Sequence, residues 1–381
     1  MYAYAHEIDA WLTGQSLPLN GAAPVEGTSP TRRGWLIPAA VLAVFFTAVT
    51  WWVARASAPG PVENVKLTGN KILAYDAEGR AAWSFELPGA VSTAIPDVEA
   101  RRKQIVDMDG DGIREVLVAA HFANSTGDED PRSILYCFRE DGSLVWQHEP
   151  VRALTFGGRR FQGPWIIEDV VVSQNSGPRT VFVAYRHNTW WPSFIEKLDA
   201  TGRDFLMFVN PGWVMRIAYL RAPHGGLLLA GGVHNAQKMG FLAAIGESQG
   251  PTTAPLEEQL EFRCDDCSAG APFRYFLLPP SELRKALDGR GDWVWFFGIH
   301  GASVLVRTSG TLGADAFYDF NLKLEPSGVS RPDHYWDFHR KLEQEGKVSH
   351  PANDCPERKA LPPPLVWTSA QGWRPAPLNS K

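Results

Sequence analysis

After residue 60, hydrophobic and polar positions alternate in short runs broken by turn residues. Ile72-Leu73-Ala74-Tyr75 leads into Asp76-Ala77-Glu78-Gly79 and then Trp83. Ile134-Leu135-Tyr136-Cys137-Phe138 leads into Arg139-Glu140-Asp141-Gly142 and then Trp146. Phe194-Ile195-Glu196-Lys197-Leu198 leads into Asp199-Ala200-Thr201-Gly202 and then Leu206. Each reads as a β-hairpin: a strand, a polar turn whose Gly takes positive φ, and a returning strand. In all three a large apolar residue lies four positions after the Gly. Weaker copies end at Gly250 and Gly328.

A second element is a nearly unbroken apolar strand after an acidic or Gly-rich turn. It begins at Glu115, Asp169, Gly226 and Asp292. The two elements alternate at intervals of roughly 50–60 residues, a length that fits one sheet per repeat. The pattern predicts a mainly β fold: a β-propeller of about five to seven blades over residues 67–373, with 374–381 as a tail. Two unrelated β-sandwiches would alternate too, but without this steady two-part order. The first blade looks short of strands, and Leu365-Val366-Trp367-Thr368 is expected to supply one and close the ring.

The N-terminal part follows a different pattern. Residues 34–54 read GWLIPAAVLAVFFTAVTWWVA without a charge. That is about the ~20 residues a helix needs to cross a bilayer. Trp35, Trp51 and Trp52 stand at the ends as interfacial anchors, and Pro38 falls in the first turn, where it is tolerated. Arg32 and Arg33 precede the span and Arg55 follows, so the positive-inside rule puts residues 1–33 in the cytoplasm. A linker over 55–66 then leads to an extracytoplasmic domain on the plasma membrane. The rival readings are a cleaved leader, with Ala56-Ser57-Ala58 as the processing site, and a buried core helix. Residues 13–31, rich in Gly, Pro, Ser and Thr, read as a flexible linker.

Residues 2–12, YAYAHEIDAWL, resemble the end of an excisionase-like or MerR-like helix-turn-helix domain. The recognition helix of such a domain would lie upstream of Met1. This chain alone is therefore not expected to read nucleic acid. Composition agrees, because a net charge of -5 offers no basic field for phosphates.

One loop carries clear ligand chemistry. Asp107-Met108-Asp109-Gly110-Asp111-Gly112-Ile113-Arg114-Glu115 sets carboxylates at its first, third, fifth and ninth positions, with Gly at the sixth. This is the first part of a calcium loop. Asp107, Asp109, Asp111, the Ile113 carbonyl and Glu115 are the candidate ligands. Hard oxygen donors at this density favour Ca2+ over zinc or copper. An ion there would staple the entrance to the following strand. With the Val-Leu-Val-Ala-Ala that follows, the loop resembles an FG-GAP repeat of the integrin α-chain type. That resemblance implies a calcium-bearing propeller with a role in recognition. The other repeats lack the full ligand set.

Several other features have plainer readings. Arg290-Gly291-Asp292 is an adhesive tripeptide by sequence and a turn by context. Cys264 and Cys267 are expected to form a local disulfide, or one of them pairs with Cys355. Cys137 reads as core. Residues 185–191, YRHNTWW, read either as a sugar-binding surface or as packing between blades. His334, Asp337 and His339 fall on an expected short helix over 332–342, read as an amphipathic surface helix rather than a metal site. Residues 128–130 read as a solvated acidic loop.

Three functions fit this sequence. One is a calcium-stabilised binding module for a protein or glycan. The second is a propeller-type enzyme, a hydrolase or quinone-dependent dehydrogenase, for which no catalytic residues can be assembled. The third is the outer sensor of a transmembrane signalling protein.

Overall fold

The computed structural model divides the chain into two units, Met1–Ala58 and Pro59–Lys381. It describes residues 58–378, apart from 93–100, 126–128, 175–176, 190–191, 223–224, 256–257, 268–269, 288–291 and 310–312, together with Thr47. Apart from Thr47, the expected membrane span and the stub before it lie outside the described residues. Among the described residues no helix is long and apolar enough to cross a membrane.

The second unit is mainly β. Its first sheet holds β1 (Asn64–Thr68), β2 (Lys71–Tyr75) and β3 (Ala81–Glu86). The second holds β4 (Lys103–Val106), β5 (Glu115–Ala123), β6 (Glu129–Phe138) and β7 (Leu144–His148). A two-stranded ribbon, β8 (Ala153–Phe156) and β9 (Arg159–Gln162), comes next. The third sheet is β10 (Trp165–Val172), β11 (Val181–His187), β12 (Ser193–Leu198) and β13 (Asp204–Asn210). The fourth is β14 (Val214–Ala222), β15 (Gly225–His234), β16 (Met239–Gly246) and β18 (Arg274–Leu278). The short β17 (Thr252–Thr253) leaves this run to pair in parallel with β13. The fifth is β19 (Trp293–His300), β20 (Ser303–Ser309), β21 (Ala316–Asn321) and β22 (Pro326–Ser330). Within each sheet consecutive strands pair antiparallel, as short connections require.

The sheets stack face to face in chain order, and the strand period of two shows it. On β5, Val116, Val118, Ala120 and Phe122 join the core shared with the first sheet. The alternate residues Leu117 and Ala119 join the core shared with the third. On β11, Val181, Val183 and Tyr185 face the second sheet's core, while Phe182 and Ala184 face the fourth's. On β16, Phe241, Ala243 and Ile245 face back and Leu242 and Ala244 face forward. A strand covered on both faces cannot alternate apolar with polar. That is why these segments read as unbroken apolar runs.

The expected hairpin turn is a single device used repeatedly. In the first sheet Asp76 N–H donates to the Arg80 carbonyl and Gly79 N–H to the Asp76 carbonyl. Arg139/Ser143 with Gly142, and Asp199/Arg203 with Gly202, repeat both bonds. The fifth sheet repeats them at Asn321/Glu325, with Leu324 in the glycine's place at φ 58°. The turn side chains serve as caps. Asp76 Oδ1 accepts from Glu78 N and Arg80 N, Asp199 Oδ1 from Thr201 N and Arg203 N, and Asn321 Oδ1 from Lys323 N and Glu325 N.

Three expectations need correction. The copy assigned to Gly328 belongs to Asn321–Glu325, because Gly328 lies inside β22. The four apolar strands are not equivalent: those from Glu115 and Gly226 are second strands, while those from Asp169 and Asp292 enter first strands. Finally, β23 (Leu365–Thr368) does not complete the first sheet. Leu365 and Val366 pair with Leu277 and Phe276 on β18, and β24 (Gly372–Pro375) extends that edge. The long insertion after the fifth sheet brings the chain back to the fourth before it ends.

Among the described residues of the second unit, three α-helices have both ends defined: α1 (Glu282–Leu287), α2 (Asp333–Gln344) and α3 (Pro356–Lys359). Helix α2 covers the segment expected to be helical. Tyr335, His339 and Leu342, spaced i, i+4 and i+7, form its buried face, as expected of an amphipathic helix.

Candidate functional site

The acidic loop joins β4 to β5. Its backbone is folded by its own carboxylates. Asp107 Oδ1 accepts from Gly110 N at 2.7 Å and its Oδ2 from Gly112 N at 3.1 Å. Asp109 Oδ1 accepts from Asp111 N at 3.1 Å, and Asp111 Oδ1 from Ile113 N at 2.7 Å. Gly110 and Gly112 hold φ of 86° and 88°, which side-chain-bearing residues resist. The register of β5 then swings Glu115 back under the loop, where Oε2 accepts from Met108 N at 2.8 Å.

The result is a partial ligand cage. Asp107, Asp109 and Glu115 each bring one carboxylate oxygen within 4.8 Å of the others. Oxygens bound to one Ca2+ at about 2.5 Å stand no more than ~5 Å apart, so the spacing fits. Asp111 lies outside that group and spends Oδ1 on the Ile113 amide.

The electrostatics also fit a cation. Burial pushes the Glu115 carboxyl above its usual range. The Met108 amide opposes this, while the charges of Asp109, Asp111 and Asp107 add to it. The adjacent cation, Arg114, is committed elsewhere: its guanidinium reaches the Val62 carbonyl, Glu63 and Glu140. A bound hard cation would offset the mutual repulsion of these carboxylates and lock the loop at the mouth of β5.

The remaining candidates separate. Tyr185 is fully buried and stacks on Phe194 at 4.9 Å between ring centroids. Arg186 pairs with Glu168 and lies over Trp213 at 5.1 Å. This part of the aromatic cluster therefore packs, while Trp190 and Trp191 lie outside the described residues. Asp292 is buried beside Arg284 at 3.4 Å, so it is no adhesive tip, and Arg290 and Gly291 are not described. Cys264 and Cys267 form the local disulfide, leaving Cys355 and Cys137 free and buried. Glu129 and Asp130 belong to β6 rather than to a loop. His334 pairs with Asp315 at 2.8 Å and Asp337 with Arg340, so neither joins His339 at a common site.

One surface feature carried no sequence signal. On β19, Trp295, Phe296 and Ile299 are each more than 40% exposed, and the Arg216 guanidinium stands 5.0 Å from the Trp295 ring. Apolar residues on a strand read as core from sequence, and only the tertiary packing leaves these uncovered.

No protein-family model matches the chain, and no curated protein does. Among solved structures, the one described as the Dos1 propeller aligns at 10% identity, over 71% of this chain and 70% of that one, with a TM-score of 0.36. A likeness that slight carries no weight, and the fold rests on the strand pairing described above.

Proposed function

We propose that this chain is a membrane-anchored, extracytoplasmic β-propeller of five blades, stapled by one Ca2+, that acts as a binding module for a protein or glycan. The observation that carries the binding role is the exposed aromatic pair Trp295 and Phe296 on β19, with the Arg216 guanidinium 5.0 Å from the Trp295 ring. Aromatic side chains left open to solvent are among the groups that anchor partners, and their faces also stack on sugars. The stacked sheets supply a rigid frame for that pair. The acidic loop supports the calcium, and the apolar run over 34–54 with its flanking Arg residues supports the anchor and its orientation.

The test is a glycan array and a protein pull-down with the full-length chain, run beside Trp295→Ala and Phe296→Ala. The expected outcome is a ligand retained by the parent chain and lost by at least one variant. A ligand held equally by all three would remove the aromatic pair from the proposal. Protease added outside spheroplasts should digest residues 60–381, and full protection would overturn the orientation.

A further inference from the structure

The insertion around the fifth sheet gathers four metal-ligand side chains that lie far apart in sequence. Glu282 comes from the start of α1, His339 from the middle of α2, His350 from the following loop and Cys355 from the residue before α3. Their donor atoms all lie within 4.8 Å of one another. His339 Nε2 stands 3.3 Å from His350 Nε2, and His350 Nε2 is 3.4 Å from Glu282 Oε1. Cys355 Sγ is 3.2 Å from Glu282 Oε2. His339 and Cys355 are fully buried.

These three separations are close to the edge length of a tetrahedral zinc site. Zinc bonds of about 2.0–2.3 Å to nitrogen, oxygen and sulfur give ligand-to-ligand edges of roughly 3.4 Å. Hydrogen bonds explain the cluster less well. An imidazole Nε2 has one in-plane direction for its proton or lone pair, yet His350 Nε2 faces both His339 Nε2 and the Glu282 carboxylate. Donors that converge this way share a centre more readily than they satisfy one another. A thiolate and a carboxylate with two neutral imidazoles also carry two negative charges, which a divalent ion cancels.

The surroundings hold the four in place. Glu357 accepts from the Glu282 amide at 2.9 Å, from Tyr335 Oη at 2.6 Å and from Arg331 at 2.9 and 3.1 Å. That ties α1, α2 and α3 together beside the donors. The loop carrying His350 is pinned where Ala352 N donates to Glu343 and Arg358 Nε donates to the Ala352 carbonyl. The core here is small: Leu283, Ala314, Tyr335, Leu342 and Val348. Small cores are the ones that gain most from a metal staple.

We propose that Glu282, His339, His350 and Cys355 form a structural Zn2+ site that clamps the helical insertion. Four protein donors close the coordination shell, which fits a structural rather than a catalytic ion. Cys355 is free and takes no part in the disulfide, so its sulfur is available to the metal, which would displace the thiol proton.

The test uses the full-length protein freed of loosely held metal. Elemental analysis should find about one zinc per chain. Replacement by Co2+ should give intense tetrahedral visible bands and a thiolate charge-transfer band in the near ultraviolet. Cys355→Ser should lose the charge-transfer band, His339→Gln should lower zinc content by tenfold or more, and Asp109→Ala should change neither. The parent protein's cobalt spectrum needs no variant to fold. A parent chain that takes up no zinc, or whose cobalt spectrum is weak and lacks the thiolate band, overturns the site.

Discussion

The Trp83 indole N–H donates to the Glu140 carbonyl at 3.0 Å, carrying a residue of the first sheet onto the turn of the second. The ring lies directly over Gly142, where an added Cβ would sit 2.6 Å from Trp83 Cγ. The next pair of sheets repeats the contact. Trp146 Nε1 donates to the Ala200 carbonyl at 3.0 Å, and a Cβ on Gly202 would meet the Trp146 ring at 2.7 Å. Trp83 and Trp146, each four positions after a turn glycine, thus plug the following turn.

This predicts unequal costs for the same substitution. Gly142→Ala must both adopt φ 88° and displace the Trp83 ring, whereas Gly79→Ala adopts φ 78° with nothing within 4 Å. The left-handed conformation alone costs about 1–2 kcal/mol, and the clash raises Gly142→Ala to roughly 3 kcal/mol or more. Thermal or urea unfolding of the two variants checks the order. Equal losses would mean that Trp83 does not rest on the turn.

Leu324 sets two effects against each other. Leu324→Gly relieves a left-handed backbone, worth about 1 kcal/mol, but empties a side chain that is 1% exposed. Losing a buried Leu costs roughly 2–5 kcal/mol, so the variant should be less stable although it restores the glycine of the other turns. A rise in melting temperature would show that backbone strain dominates there.

Calcium should stabilise the protein through the acidic loop. Chelation is expected to lower the melting temperature, and Asp109→Ala should abolish the difference. Asp111→Asn should keep most of it, because Asp111 lies outside the converging trio. A parent melting curve indifferent to chelator argues against the ion.

Asp292 gives a pH signature. Burial pushes its carboxyl up to about 6, against the opposing pull of Arg284, the Ser281 backbone N–H and Arg331, while Asp315 adds to the rise. A raised carboxyl favours the protonated native state. Its contribution is therefore full below the ordinary value of 3.8 and is lost as pH rises through about 6. Relative to Asp292→Asn, the parent protein should lose up to roughly 3 kcal/mol between pH 4 and pH 7. Denaturation of both proteins across that range measures it, and a pH-independent difference would contradict the shift.

The sequence by itself determined what depends on neighbours in the chain. The Asp76, Gly142 and Asp199 turns, the helix at 333–344 and the folding of the 107–115 loop rest on bonds that close within a few residues, so their residues announce them. Period-two alternation likewise marked the strands. Tertiary structure decided everything that depends on which distant segments meet. It alone sent β23 to β18, left Trp295 and Phe296 uncovered, and drew Glu282, His350 and Cys355 to His339. A local hydrogen-bond pattern is written in adjacent letters. A packing partner is set by the folding of the whole chain, and no short window of the sequence contains it.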